Sequence, residues 1–465
     1  MHFFPDLSLT RCMSSATNFA QPALTFIPPQ YSGMLQRAMH PLMPAWTAWK
    51  TNVADVETHN VETLAKLYHE FDAGKTRIML AFRHPNATDP YVLSHLIWRA
   101  LPQTARQMGL TLKKPHAHFL YDRGIPLWAG SYLGWVFSRL GGVPIQRGKL
   151  DLMALKTARR LMVEGQFPLA AAPEGGNNGH NEIVSPLEPG IAQLAFWCVE
   201  DLQAQARHES VVILPVGIQY RYVEEPWKPL ETLIGQLEID SGLGKPAELD
   251  LYGRLYRLAE HLLTQMEGYY SDFYGVKFDT AEAETVPTGD APEPNVQLGL
   301  RLKALMNESL QVAENYFGLR PKGSVIDRCR KLEQAGWDRI FREDTGNLSA
   351  VDLGLANRVA EEANLRMWHM RLVESFVAVT GCYVKEHPSA DRFAETALLL
   401  RDMIEKIKGE PVDQKQSGPQ KAIATIGEPI VVSDRYGDYQ GKRRRAIASL
   451  TKDLQTSMES LILSQ

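Results

Sequence analysis

The sequence predicts an α/β domain followed by a largely helical accessory region. Two observations carry that reading. Between about residues 60 and 235, short apolar and β-branched runs alternate with helical periods. Beyond that, helical periods dominate, and two polar stretches at 279–295 and 405–421 read as linkers.

The elements follow in order. Residues 1–59 read as an N-terminal arm, partly flexible, with a leading helix within the Met-, Pro- and Trp-rich stretch 31–59. Residues 60–73 place Leu64, Leu67, Tyr68 and Phe71 at helical spacing, and Gly74 stops that helix. "TRIMLAF" (76–82) reads as a buried strand leading toward a helix at 91–101. Strands at 116–122 and 141–147 flank an apolar helix at 126–140. A helix at 150–164, a strand entering a glycine turn (167–176) and a helix at 189–202 come next. "SVVILPVGIQY" (210–220) is the strongest strand, rich in β-branched residues. Helices are expected at 249–274, 296–318, 324–336, 355–381 and 387–408. A strand pair or bent strand at 422–432 and a helix at 441–463 close the chain. The expected domains are 1–59, 60–235, 236–421 and 422–465.

Composition narrows the class. With 465 residues, 44% of them hydrophobic and 22% charged, the chain has ample means to build folded cores. The formal charge of -4 gives no reason to expect a nucleic-acid partner. Cys12, Cys198, Cys329 and Cys382 are far apart, which speaks against a disulfide scaffold and structural zinc. No apolar run reaches the roughly 18 residues of a simple membrane span. No basic segment leads into a long hydrophobic stretch, so no signal peptide is expected. The expected location is cytoplasmic, with peripheral association at the inner face of a membrane left open.

Candidate chemistry begins with "AFRHPNATDP" (81–90). His84 and Asp89 fall just past a strand's carboxyl end, where α/β proteins place their chemistry. A histidine there serves as general base, and a carboxylate fixes its tautomer. A surface loop with no role fits the same spacing. Pro173-Glu174-Gly175-Gly176 also follows a strand, and adjacent glycines leave N–H groups free to form an anion nest. Glu174 either accepts from a hydroxylated substrate or ties the turn to an arginine. Arg147 ends "GGVPIQR" and either pins a phosphate or starts a helix at the surface.

Four segments in this order resemble the glycerolipid acyltransferase family. His84 and Asp89 match its His, four variable residues, Asp motif, with Arg83 in place of the usual Asn. "GGVPIQR", ending at Arg147, resembles its second motif, and Pro173 to Asn178 resembles its third. There, Asn177 and Asn178 stand where Arg and Ser are usual. Pro215 in "VILPVGI" matches the proline of the fourth. The resemblance implies an acyltransferase-like domain with a mixed sheet flanked by helices. It implies O-acyl transfer from acyl-CoA or acyl-carrier protein to a glycerol phosphate, lysophospholipid or related hydroxyl. His84 is the implied base and Asp89 its partner. The implied substrate contacts are Arg83, Arg147, Glu174, Gly175, Gly176, Asn177 and His180. No bound cofactor and no metal are expected. Thioester hydrolysis by the same pair, or lipid binding without turnover, are the alternatives.

Outside those motifs, 125–142 carries Trp128, Tyr132, Trp135 and Phe137. It reads first as a buried core helix, then as an acyl groove or membrane face. Trp368 and Met370 read as core and His369 as helix surface. Arg443–Arg445 reads equally as a lipid-headgroup contact or a solvated face.

Overall fold

The computed structural model describes residues 18–126, 130, 132–146, 151–244, 248–278, 293–376, 379, 381–410 and 417–463. Two short strands, β1 (Gln21–Pro22) and β8 (Phe341–Arg342), pair in parallel. The others build one mixed sheet: β2 (Val53–His59), β3 (Thr76–Phe82), β4 (His118–Asp122), β5 (Gly142–Ile145), β6 (Leu169–Ala171), β7 (Ser210–Tyr222), β9 (Gln420–Ile426) and β10 (Ile430–Val431). Their order is β2-β9-β7-β3-β6-β4-β5, with β10 also on β7. β7 pairs antiparallel with β9 and β10, and every other pairing in this sheet is parallel.

β3 is buried along its whole length, and from Ile78 to Phe82 it is apolar at every position rather than alternating. Its two faces enter different cores. Ile78 and Leu80 pack with the helix Val61–Asp72, through Leu64 and Tyr68. Met79 and Ala81 pack with Met162 and Phe196 from the helices Leu152–Glu164 and Gly190–Ala204. Period-two alternation thus survives as a choice between two apolar environments.

Pro215 lies inside β7, where a proline normally disrupts a sheet. Ile213 pairs with Ile430 and Val216 with Ile426, so the proline sits where the neighbouring chain changes from β10 to β9. Its carbonyl still accepts from the Gly427 N–H at 2.9 Å.

Two local differences from expectation have physical causes. Residues 53–59 form strand β2 rather than part of an arm, parallel to β9. Asp55, Glu57 and His59 hide the strand signal, and such charges suit a sheet edge. The helix expected over 91–101 starts at Asp89 and reaches Gln107 through a π turn at Leu96–Ala100. Pro102 has no N–H for the Trp98 carbonyl four residues back. His40 fills that vacancy, its Nε2 lying 2.9 Å from the Trp98 oxygen.

Six long helices, Trp227–Asp240, Leu251–Tyr274, Pro294–Phe317, Val325–Ile340, Ala350–Glu374 and Ala390–Lys408, lie in the chain between β7 and β9. They have their own core around Leu258, Leu310, Leu332 and Met367. The N-terminal segment bridges the two halves. Ala20 donates to Asn357 in the helical region at 2.9 Å, and Gln30 donates to the Ser138 carbonyl at 2.8 Å.

Leu80 is 1% exposed at the centre of the sheet. Leu80→Ala is expected to cost about 2–5 kcal/mol in a denaturant titration followed by circular dichroism.

Candidate active site

Parallel β3 and β6 end on the same side of the sheet, which brings "RHPNATD" and "PEGGNN" together. His84 Nδ1 lies 2.7 Å from Asp89 Oδ2. Asp89 opens the helix Asp89–His95 and is wholly buried. The Asn86 N–H donates to the same Oδ2 at 3.1 Å, and the Tyr220 hydroxyl donates to Oδ1. Burial, then the Asp89 charge, holds the Tyr220 phenol well above its usual range, so it remains a donor. With Nδ1–H facing a carboxylate, His84 presents Nε2 as the basic atom. That nitrogen has no hydrogen-bond partner among the described residues, and the ring lines a cavity of about 1860 Å³.

Glu174 is directed inward. Its carboxylate accepts from the His84 N–H, the Ser185 N–H and the Asn178 amide, each at 2.9 Å. Arg83 Nε stands 3.7 Å from it. Of the two roles expected for Glu174, this is the tie between turn and arginine. Arg83 is 0% exposed and serves backbone carbonyls: Asn181 at 2.6 Å, Ile183 at 2.6 Å and His180 at 3.1 Å. It holds the loop and offers the cavity no surface, in contrast to the expected substrate contact.

His180, unlike Arg83, lines the cavity. Its Nδ1 donates to the Asn178 carbonyl at 2.7 Å. Burial, reinforced by Arg83, lowers its pKa, so it brings no positive charge. Gly175, Gly176 and Asn177 do line the cavity. Gly175 has φ +71°, and an added Cβ would meet Glu188 Oε1 at 2.2 Å. Asn177 accepts from the Gly179 N–H at 2.8 Å. Among the described residues, the N–H groups of Gly176 and Asn177 make no hydrogen bond. Arg147 lies outside the described residues.

Several partners were not legible in the sequence. Tyr220 is 131 positions from Asp89, and no spacing rule connects them. Asn178 and Ser185 hold Glu174 through loop curvature. The helical half also reaches the site: Arg330 Nη2 donates to the Gly175 carbonyl at 2.6 Å, and Glu395 accepts from the Asn181 amide at 2.6 Å.

The aromatic helix expected over 126–140 is Tyr132–Arg139 among the described residues, and it is no buried core helix. Tyr132 is 46% and Trp135 55% exposed, while Leu133, Val136 and Phe137 line the cavity. Trp128 lies outside the described residues. His369 also differs from its expected surface position. It is buried, bonded to the Tyr270 hydroxyl at 2.6 Å and that of Tyr274 at 3.2 Å. Burial takes its pKa down to about 4.

Residues 55–219 match the family model described as Acyltransferase. No curated protein and no solved structure gives a match.

Two expectations follow from this geometry. In Arg83→Lys a single ammonium replaces the two Nη atoms that reach three separate carbonyls, and the change should cost about 2–4 kcal/mol in chemical denaturation. Burial pushes the Glu395 carboxyl up from 4.5 to about 7, although the hydrogen bonds from Tyr383 and Asn181 lower it. Folding therefore favours its protonated form. That contribution is complete below 4.5 and is lost as pH rises through about 7. Glu395→Gln should flatten the stability profile across this window by roughly 1–3 kcal/mol, read from melts at several pH values.

Proposed function

From the acyltransferase domain that residues 55–219 form, we propose O-acyl transfer from acyl-CoA or acyl-carrier protein to a hydroxyl of a glycerol phosphate, lysophospholipid or related acceptor. The observation that carries this reading is the His84–Asp89 contact at 2.7 Å on the wall of a large cavity. Asp89 accepts from Nδ1–H and leaves Nε2 to take the acceptor's hydroxyl proton. The oxygen attacks the thioester carbonyl, forming a C–O bond as the C–S bond breaks. The proton then passes from His84 to the departing thiolate. The N–H groups of Gly176 and Asn177, without a hydrogen bond among the described residues, suit stabilisation of the negative charge on the carbonyl oxygen. Placing base, hydroxyl and thioester together removes the need for a nucleophilic side chain.

The cavity supports an acyl substrate. Its volume of about 1860 Å³ exceeds the usual range for drug-sized ligands, and Trp46, Val136 and Phe137 are among its apolar lining. At the surface, Leu42 is 63% and Trp49 64% exposed, close to Lys50, whose Nζ lies 4.0 Å from the Trp49 ring centre. Arg139 likewise covers the exposed Trp135 at 5.8 Å. Aromatic and basic groups side by side suit an interfacial, peripheral contact with anionic lipid at the cytoplasmic face. Among the described residues, no helix is long and apolar enough to cross a membrane.

Purified protein is to be incubated with labelled palmitoyl-CoA and a mixed lipid extract, and the products resolved by mass spectrometry. The expected outcome is a new acylated lipid that His84→Ala reduces at least about a hundredfold. Free fatty acid alone would replace transfer by thioester hydrolysis. No turnover with either acyl-CoA or acyl-carrier protein would reject the enzymatic reading. Tyr220→Phe, by removing one donor to Asp89, should lower kcat by roughly tenfold with KM little changed.

A further inference from the structure

The glycine turn brings no cation to the cavity. Asn177 and Asn178 are neutral, Arg83 is consumed by carbonyls, and His180 is uncharged. Among the described residues, the lysine and arginine side chains lining this space are Lys50, from the helix Met43–Lys50, and Arg371 and Arg401, from the helical region. Nearby, Arg330 is engaged with the Gly175 carbonyl at 2.6 Å and Glu374 at 3.1 Å. Arg401 faces Asp402 at 3.5 Å and Glu405 at 3.9 Å.

Arg371 is different. It lies on the helix Ala350–Glu374, three residues before Glu374 and hence on the same face. Among the described residues its guanidinium makes one hydrogen bond, from Nη1 to Asn364 Oδ1 at 2.9 Å, and no ion pair. Glu333 and Glu374 influence it only from beyond ion-pair distance, and both instead face Arg330, at 3.7 and 3.1 Å. Burial lowers the Arg371 pKa, while the Glu333 and Glu374 charges act to raise it. Its Nε–Nη2 edge makes no hydrogen bond among the described residues, and the side chain lines the cavity. That edge is the planar fork which grips two oxygens of a phosphate.

The geometry points to Arg371 as the anchor of a phosphate subsite that the helical region contributes to the cavity shared with His84. Which substrate brings the phosphate rests on the acyltransferase reading; the presence of the subsite does not. Chemically, the group is a phosphate of the acceptor or of the nucleotide or pantetheine part of the donor. The connection to the His84 side is continuous: Glu374 meets Arg330, Arg330 meets Gly175, and Glu174 holds the His84 N–H.

The test is calorimetric titration of the full chain with inorganic phosphate. Wild type should bind saturably. Arg371→Ala should weaken binding by at least about tenfold, and Arg371→Lys by less, because a point charge lacks the fork. His84→Ala should bind phosphate as wild type does. Saturable binding lost in Arg371→Ala supports the subsite even in a protein that transfers no acyl group. Wild type that fails to bind, or folded Arg371→Ala that binds equally well, overturns it even if transfer proceeds. Should Arg371→Ala not fold, Arg371→Gln must show the same loss. In the transfer assay, a raised KM for a phosphate-bearing acceptor alone assigns the group to the acceptor, and a raised KM for acyl-CoA alone assigns it to the donor. An unchanged KM for both overturns the substrate role.

Discussion

The site depends on two charges that water cannot reach. Arg83 and Glu174 have side chains with no exposed surface, 3.7 Å apart. An isolated buried charge is costly, and a buried pair is tolerated only when its remaining hydrogen-bonding capacity is met. Here that demand shapes the backbone. Arg83 draws in three carbonyls between His180 and Ile183, while Glu174 draws in the N–H groups of His84 and Ser185. Beyond the Arg83 N–H bond to the Val216 carbonyl at 2.9 Å, the loops after β3 and β6 are joined, among the described residues, by one backbone bond, from Asn178 N–H to the His84 carbonyl at 3.4 Å. The ion pair and its partners fix their separation, and with it the position of His84 relative to the glycine turn.

The helical region is fastened to the same knot. Asn181 gives its carbonyl to Arg83, its amide to Glu395, and accepts from the Tyr220 N–H at 2.7 Å. Glu182 in turn receives Arg221 from β7 and Arg392 from the helical region, each at 2.6 Å. Strand, loop and helical region therefore share hydrogen-bonding groups, and a change in one shifts the geometry of the others. This is why a region with its own apolar core still shapes the cavity wall.

What the sequence revealed depended on range. The His84–Asp89 pair was legible because five residues and a helix start fold it within one turn. The strand order of residue types along β3 and β7 was legible because burial on both faces demands unbroken apolar runs. β2 was hidden by its edge charges, and the π turn by Pro102, whose effect depends on His40 accepting the role of partner to Trp98. Tyr220 was invisible because strand pairing alone carries it to Asp89. The burial of His369 is hidden in the sequence because a histidine in a helix gives no sign of Tyr270 and Tyr274, its partners in the fold.

The arginines show where local reading stops. Arg83 follows a buried strand and lies beside His84, so proximity suggests a substrate contact. Yet its Nη atoms serve carbonyls, and its Nε is buried 3.7 Å from Glu174, so it offers a ligand no surface. Arg371 sits in a long helix whose sequence marks no functional position, yet it lines the cavity with only its Nη1 hydrogen-bonded among the described residues. The charge is identical in the two residues; what differs is how many acceptors the fold has already supplied. Whether an arginine is structural or available to a ligand is thus a property of the neighbouring carbonyls and carboxylates, fixed only once distant segments have packed.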